Sequence, residues 1–71
     1  MTVCVKLRRG AQIAQIKETP VEIHSPGKGY HWTSKLAIVD LSGRWMYSQW
    51  WHLNQKKAAI ARAKELGWEV V

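Results

Sequence analysis

The sequence predicts an α+β fold, in which an antiparallel sheet of three to four strands packs on one C-terminal helix in the order ββββα. Two observations lead to this prediction. Apolar and polar residues alternate with the period of a β-strand over most of the chain up to residue 53, whereas residues 54–66 are mainly strong helix formers. The length of 71 residues suits a single small basic domain (residues 1–71) with one thin core.

The N-terminal part predicts two strands joined by a basic turn. β-Branched residues alternate through residues 3–7, and residues 8–10 (RRG) follow as a turn in which the glycine can adopt a positive φ. Residues 12–19 then form a second strand. Pro20 lacks a ladder donor, so we expect this strand to break there or to lie at a sheet edge. Residues 21–24 resume the alternation.

A Pro-Gly loop precedes the longest strand. Residues 25–29 (SPGKG) contain the Pro-Gly pair typical of a type II turn. Residues 30–41 follow as a strand that is apolar on both faces over LAIVDL. A tight turn at residues 42–43 then predicts a hairpin, with residues 44–51 as the returning strand.

The helix has a predicted start and a predicted end. Asn54 is a favourable N-cap for residues 55–66, and Gly67 stands at the position where helices commonly end in a left-handed residue. The inward stripe is rich in alanine, which allows close packing on a sheet. Residues 68–71 predict either a short closing strand or a tail packed under the helix.

The composition argues against several classes of protein. Cys4 is the single cysteine, so no internal disulfide is expected, and a reducing cytosol and a cytoplasmic location fit best. The longest apolar runs are a few residues, so no membrane segment is expected. No His, Cys or acidic residues occur at metal-ligand spacing, and no motif contains a nucleophile or general acid. We therefore expect no enzyme, no metal, no cofactor and no small-molecule substrate.

The tryptophans indicate a binding surface. Residues 44–52 (RWMYSQWWH) contain three of the five tryptophans, and a core of this size holds one or two indoles. Strict alternation would place Trp45, Tyr47 and Trp51 on one face of a strand and Trp50 on the other. One helix covers one sheet face, so we expect the other to be covered by a second copy in a homodimer, by a partner, or by the chain's own terminal segments or a long loop. The predicted partner or stacking face comprises Trp32, Trp45, Tyr47, Trp50 and Trp51.

Positive charge is the second indication of function. Eleven Lys and Arg residues against five Asp and Glu give a formal charge of +6 and a pI near 9.9. Such a domain attracts a phosphate backbone or an acidic protein surface. Two lysines at the predicted helix start coincide with the partial positive charge of a helix N-terminus, which favours a phosphate contact there. The predicted nucleic-acid-binding residues are Arg8, Arg9, Lys28, Lys35, Arg44, Gln55, Lys56 and Lys57.

Residues 32–45 (WTSKLAIVDLSGRW) and 54–63 (NQKKAAIARA) resemble small DNA-binding domains in which a three-stranded sheet packs on one helix, such as integrase arm-binding domains and plant ethylene-responsive factors. In these families a Gly-Arg turn joins two strands and a KKxA-like helix start follows. The helix start is also similar to the phosphate-clamping helix of double-stranded-RNA-binding domains. The first resemblance implies that the sheet face opposite the helix contacts DNA. The matching positions would be Trp32, Lys35, Ala37, Asp40, Gly43, Arg44, Ala59 and Ala63.

Two functional hypotheses follow. The first is a nucleic-acid-binding accessory protein of the kind that phages and mobile elements encode, with basic loops and the helix start on phosphates and tryptophans stacked on bases. The second is a protein-interaction module, for example a phage-type inhibitor whose Trp-rich face docks on an acidic patch of a CRISPR-like host defence complex. Outward-pointing Leu36, Ile38 and Asp40 would favour the second, because strands that read a groove carry Arg or Lys outward.

Overall fold

The computed structural model describes residues 3–71, which form one four-stranded antiparallel sheet and one helix. The strands are ordered β3-β2-β1-β4 across the sheet. This confirms the α+β class with a single C-terminal helix. The fourth strand of the sheet is the short closing strand that was one of two outcomes predicted for residues 68–71, whereas the segment predicted as the strand before the helix pairs only through two isolated bridges. In chain order the elements are β1 (Cys4–Arg9), β2 (Gln12–Ser25), β3 (Gly29–Asp40), α1 (Lys56–Glu65) and β4 (Glu69–Val70).

Two glycine-containing turns set the strand registers. Gly10, with φ +60°, and Ala11 form a two-residue loop between β1 and β2, and a positive φ at the first loop position is what a type II′ turn requires. At the other end of β2, the N–H of Lys28 donates to the carbonyl of Ser25 at 2.9 Å, and Gly27 has φ +80°. The type II turn predicted at the Pro-Gly pair is therefore confirmed.

β2 runs without a break through Pro20. Leu36 exchanges both backbone hydrogen bonds with Trp51 (2.8 and 2.9 Å) on the side of β3 away from β2. Alternation then makes Ser34 and its partner Pro20 a pair without mutual hydrogen bonds, so the nitrogen of Pro20 faces away from β3. β1 begins at Cys4, three residues short of Pro20, so no ladder partner is lost there. Pro20 therefore lies at a local edge, which is one of the two predicted outcomes.

The core lies between α1 and one face of the sheet. Buried alanines on α1 let the helix approach the sheet closely, while Leu36 and Ile38 of β3 point toward the helix. The expectation that Leu36, Ile38 and Asp40 point outward is therefore wrong for the two apolar residues, because burying them removes apolar surface from water. The buried cluster comprises Val5, Leu7, Ala14, Ile16, Leu36, Ile38, Ala59, Ala63 and Trp68.

The predicted strand at residues 44–51 is instead an irregular segment along the outer edge of β3. Two isolated bridges attach it, Val39↔Trp45 and Leu36↔Trp51. The bridges are three residues apart on β3 but six apart on the edge segment, so three extra residues loop out between them. This slip places Trp45 on the face opposite α1 and Trp51 on the helix face. Strict alternation, which predicted a shared face, fails because the sequence pattern does not show looped-out residues.

Asp40 organises the turn that starts this edge segment. Its Oδ1 accepts hydrogen bonds from the Ser42 hydroxyl at 2.6 Å, the Ser42 amide at 2.9 Å and the Arg44 amide at 3.0 Å. The Ser42 hydroxyl and then the Arg44 amide hold the pKa of Asp40 below its ordinary value of 3.8, and the positive charge of Arg44 adds to this. All of these groups favour the ionised carboxylate.

We expect Asp40→Asn to reduce stability at neutral pH and to remove part of the acid sensitivity of the fold. Because the pKa is lowered on folding, the ionised carboxylate stabilises the protein above 3.8, and this contribution disappears as the pH falls through the lower folded-state value. Urea midpoints of wild type and variant, compared at neutral pH and well below 3.8, check this. A gap between the two proteins that stays constant with pH would contradict it.

The start of α1 differs slightly from the prediction. Gln55, and not Asn54, occupies the N-cap position, and its side chain makes no capping hydrogen bond. Instead, the Gln55 Oε1 accepts a hydrogen bond from the backbone N–H of His52 at 3.0 Å. Gln55 therefore stabilises the loop that leads into the helix.

The end of α1 is as predicted. Gly67 has φ +92°, and its N–H donates to the carbonyl of Lys64 at 3.0 Å, while the N–H of Trp68 donates to the carbonyl of Ala63 at 3.0 Å. This pair of bonds is the Schellman motif, for which Gly67 is the expected left-handed residue. The motif turns the chain back under the helix, so that Trp68 enters the core and β4 pairs with β1.

Candidate nucleic-acid interface

Cationic strand residues collect on the sheet face opposite α1, which we call the open face. β1 contributes Lys6 and Arg8, β2 contributes Lys17, and β3 contributes Lys35. The registers Lys6↔Gln15, Lys17↔Ala37 and Thr19↔Lys35 make Lys17 the diagonal neighbour of both Lys6 and Lys35. The four residues therefore form one diagonal line across three strands, which we call the cationic row.

The cationic row has regular spacing and few acidic neighbours. Residues two apart on a strand are about 7 Å apart, and diagonal neighbours on adjacent strands are roughly 7–8 Å apart. Glu69 of β4 is the single acidic strand residue on this face among residues 3–71, and it pairs with Arg8 at 3.4 Å. Glu18 and Glu22 of β2 alternate onto the helix side. The sheet thus separates most of its charges: four of the five strand cations lie on the open face, and the fifth, Arg9, lies on the helix side.

Trp45 lies across the open face next to this row. Its backbone bridges Val39 at the outer edge of β3, while its Nε1–H donates to the hydroxyl of Thr19 on β2 at 3.3 Å. The indole therefore crosses β3, which explains why Ala37 and Val39 are buried although they lie outside the main core. About a third of Trp45, 37%, remains accessible. Part of the apolar patch expected on this face is thus covered by the chain's own edge segment.

A second exposed indole stands at the β3 end of the row. The Nζ of Lys35 lies 5.2 Å from the ring centroid of Trp50 and donates a hydrogen bond to Nδ1 of His52 at 2.8 Å. The ring of His52 in turn meets the Trp50 ring edge-on at 5.4 Å. These contacts fix the Trp50 ring beside the positive charge of Lys35, while 42% of the Trp50 surface stays accessible. The result is an aromatic surface bordered by positive charge.

Three of the predicted site residues serve the interior instead. The Arg9 guanidinium lies 4.4 Å from the ring centroid of Trp68 and donates to the carbonyl of Leu66 at 2.9 Å, which satisfies a carbonyl at the end of α1. Tyr47 accepts a hydrogen bond from the Trp68 Nε1–H at 3.1 Å. Trp51 packs against the core. These positions hold the helix, the edge segment and β1 together.

The remaining predicted residues are exposed but dispersed. Lys28 lies at the tip of the β2–β3 hairpin, Arg44 follows the Asp40 turn, and Lys56 and Lys57 form the first turn of α1. Trp32 lies on the hairpin, 68% exposed, far along β3 from the other tryptophans of the predicted face. The structure thus brings Arg8, Lys35, Trp45 and Trp50 together on the open face and leaves the others apart.

Lys6 and Lys17 belong to the cationic row but were not predicted from the sequence. Lys6 stands between the buried residues Val5 and Leu7, and Lys17 follows the buried Ile16, so alternation alone would have placed both on a polar face. Bringing them together on that face requires the register of β1 on β2, which the Gly10 turn fixes at Cys4↔Lys17. The register therefore depends on the two-residue loop Gly10-Ala11, which differs from the three-residue turn predicted at residues 8–10.

The part of the chain from residue 3 onward shows no residue arrangement for a metal site, a pocket or a membrane-spanning helix. There, no three His, Cys, Asp or Glu side chains are grouped so that they could hold a metal ion, and no pocket is present. None of the helical structure described has the length and apolar character needed to cross a membrane. No protein-family model, curated protein or solved structure gave a significant match to the chain.

Proposed function

We propose that the protein binds nucleic acid through the open face, with the cationic row on phosphates and the indoles of Trp45 and Trp50 against bases or sugar edges. The observation that supports this most is the segregation of charge. Within residues 3–71, four strand cations share one sheet face with a single acidic strand residue, and that residue is already paired with Arg8. A phosphate backbone is the common biological ligand that a line of cations matches.

The indoles support nucleic acid over a purely electrostatic partner. Trp50 is held beside Lys35 and has 42% of its surface free, and Trp45 has 37% free. An aromatic ring next to a cationic track is the arrangement with which many proteins bind single strands, since each stacked base contributes roughly 1–3 kcal/mol. The open face is also the face that the resemblance to sheet-based DNA-binding domains implies.

The alternative is docking on an acidic protein surface. It uses the same half-exposed indoles, because Trp and Arg are typical of interface hot spots. The two readings differ in which residues dominate the affinity. Phosphate binding depends mainly on the cations, so Lys17→Gln should weaken binding more than it would at a protein interface centred on Trp50. Leu36 and Ile38 are buried against the helix, so these two residues do not provide an apolar outer surface on which a protein partner could dock.

We expect steep salt dependence of the affinity for random-sequence oligonucleotides, single-stranded or duplex. With about four phosphate contacts, the affinity should fall roughly a hundredfold between ~50 and ~200 mM salt, because counterions released on binding oppose it. Fluorescence anisotropy with a labelled oligonucleotide measures this directly. An affinity that stays flat over the range, or no binding at low salt, would refute the proposal.

A further inference from the structure

The distal part of the β2–β3 hairpin projects from the body as a two-stranded arm. We define the arm as residues 20–34, bounded by the pair Pro20↔Ser34. β1 ends its pairing with β2 at Lys17, and the edge segment ends its pairing with β3 at Leu36, so neither reaches the arm. The molecule is consequently elongated, 46 Å along its longest axis and 23 Å along the other two.

The β2 edge of the arm is protected against pairing with another strand, and the β3 edge is not. On the β2 edge, Pro20 lacks an N–H and Glu22 carries a charge, and both are devices that protect an edge strand. On the β3 edge, alternation from Leu36 turns the backbone groups of Tyr30, Trp32 and Ser34 outward. Within residues 3–71 these groups have no backbone partner on that side.

The β3 edge of the arm has the composition of a strand that pairs. Residues 30–34 (YHWTS) contain neither proline nor a formally charged residue. Tyr30 is 70% exposed and Trp32 is 68% exposed, so two large aromatic residues face water beside an open row of backbone groups. An edge of this kind is a template for an added strand.

The lack of net charge on the arm favours a second copy of this protein as the partner. The arm contains one acid, Glu22, and one base, Lys28, so the formal charge of +6 lies on the rest of the molecule. The arm is therefore the part on which two copies of this basic protein can meet with the least repulsion. The free edge can also pair with a copy of itself. Its outward backbone groups belong to Tyr30, Trp32 and Ser34, so two antiparallel edges centred on Trp32 bring the donors of one copy opposite the acceptors of the other.

We propose that the protein dimerises by antiparallel pairing of the Tyr30–Ser34 edges of two copies, with the two-fold axis at Trp32. Trp32 then lies directly opposite the partner's Trp32, and Tyr30 lies opposite the partner's Ser34. A two-fold axis of this kind stands perpendicular to the sheet, so both open faces lie on the same side of the dimer. The dimer is expected with or without nucleic acid, and so its failure is separable from failure of the proposed function.

Cysteine cross-linking tests the register in a Cys4→Ser background. Opposed residues of a hydrogen-bonded antiparallel pair have Cα atoms about 5.5 Å apart, within the range of a disulfide. Trp32→Cys should therefore form a covalent dimer on mild oxidation. Thr33→Cys is the matched control, because its Cα atoms would be about 8 Å apart and should not cross-link. Equal cross-linking of the two variants, or none at Trp32→Cys, would overturn the proposal.

Sedimentation velocity across a dilution series tests the dimer without cross-linking. Wild type should sediment as a dimer, and Trp32→Lys should raise the dissociation constant about tenfold or more, because it removes an aromatic contact and opposes two lysines at the axis. His31→Lys adds the same charge opposite the partner's Thr33 and should remain dimeric. A wild type that stays monomeric at every concentration would overturn the proposal, even if it binds an added peptide strand. A Trp32→Lys variant with the same dissociation constant as wild type would overturn it too.

Discussion

Trp68→Ala is expected to remove a large part of the stability of the protein and to lower its urea midpoint well below that of wild type. Trp68 is only 2% exposed and is the largest side chain of the core. Its Nε1–H donates to the Tyr47 hydroxyl, and the guanidinium of Arg9 lies over its ring, so one residue connects β1, the edge segment and the end of α1. Truncating a buried tryptophan costs about 3–5 kcal/mol. A domain of this length has about 4–11 kcal/mol of stability in total.

Two control variants separate the causes of this loss. Trp32→Ala makes the same chemical change at an indole that is 68% exposed. At protein concentrations low enough to keep both proteins monomeric, it should therefore alter the unfolding free energy by about 0.5 kcal/mol or less. Trp68→Phe keeps much of the volume but removes the hydrogen bond to Tyr47, so its loss should be about 1–3 kcal/mol. Urea unfolding followed by far-UV circular dichroism gives the midpoints. A Trp68→Ala midpoint equal to that of wild type would contradict the assignment of the core.

The local elements of this fold could be read from the sequence, because each has a local cause. The Pro26-Gly27 pair fixes a type II turn, the left-handed Gly67 ends the helix, and the buried alanines mark the inward side of α1. The number of indoles that the core holds also followed from chain length. Trp68 is fully buried and Trp51 partly so, while three others are exposed.

The arrangement of residues 44–51 could not be read from the sequence. In a regular strand Trp45 and Trp51 would lie on the same face. Three looped-out residues between the two bridges place them on opposite faces. The Asp40 turn fixes where the edge segment begins, but its later path is set by packing of Tyr47 and Trp51 on the core, which is a tertiary effect. The position of β4 has a similar origin, since the burial of Trp68 returns the chain to β1.

The candidate site depended on register more than on residue type. Lys35 and Arg8 were nominated because they are basic, whereas Lys6 and Lys17 become neighbours only through the pairing of β1 with β2. Arg9 illustrates the opposite case. It is basic and adjacent to Arg8, but alternation turns it toward Trp68, where it satisfies the end of the helix. Net charge therefore indicated a function, and strand pairing decided which cations share a surface.

Replacing both Lys6 and Lys17 by glutamine is expected to cause the largest loss of nucleic-acid affinity. At about 0.1 M salt, each phosphate contact that releases counterions contributes roughly tenfold, so the pair should lose roughly fifty- to a hundredfold. Both side chains are exposed and neither makes an ion pair within residues 3–71. The fold should therefore be retained, which far-UV circular dichroism verifies.

The matched control removes the same charge at the rival site. Lys56→Gln with Lys57→Gln changes two exposed lysines at the start of α1, where a phosphate contact was predicted from the helix N-terminus. Both double variants lower the formal charge by two, so a general effect of net charge would weaken them equally. Binding through the open face predicts a clearly smaller loss for the helix pair.

The slope of log affinity against log salt concentration, measured for wild type and both double variants on one oligonucleotide, tests the open-face account most directly. Each lost contact reduces the steepness by about 0.7 for a single strand or 0.9 for a duplex. We predict that the Lys6 and Lys17 variant flattens the slope by about two contacts while the Lys56 and Lys57 variant keeps the wild-type slope. The reverse pattern, or an equal change in both variants, would contradict phosphate binding by the cationic row.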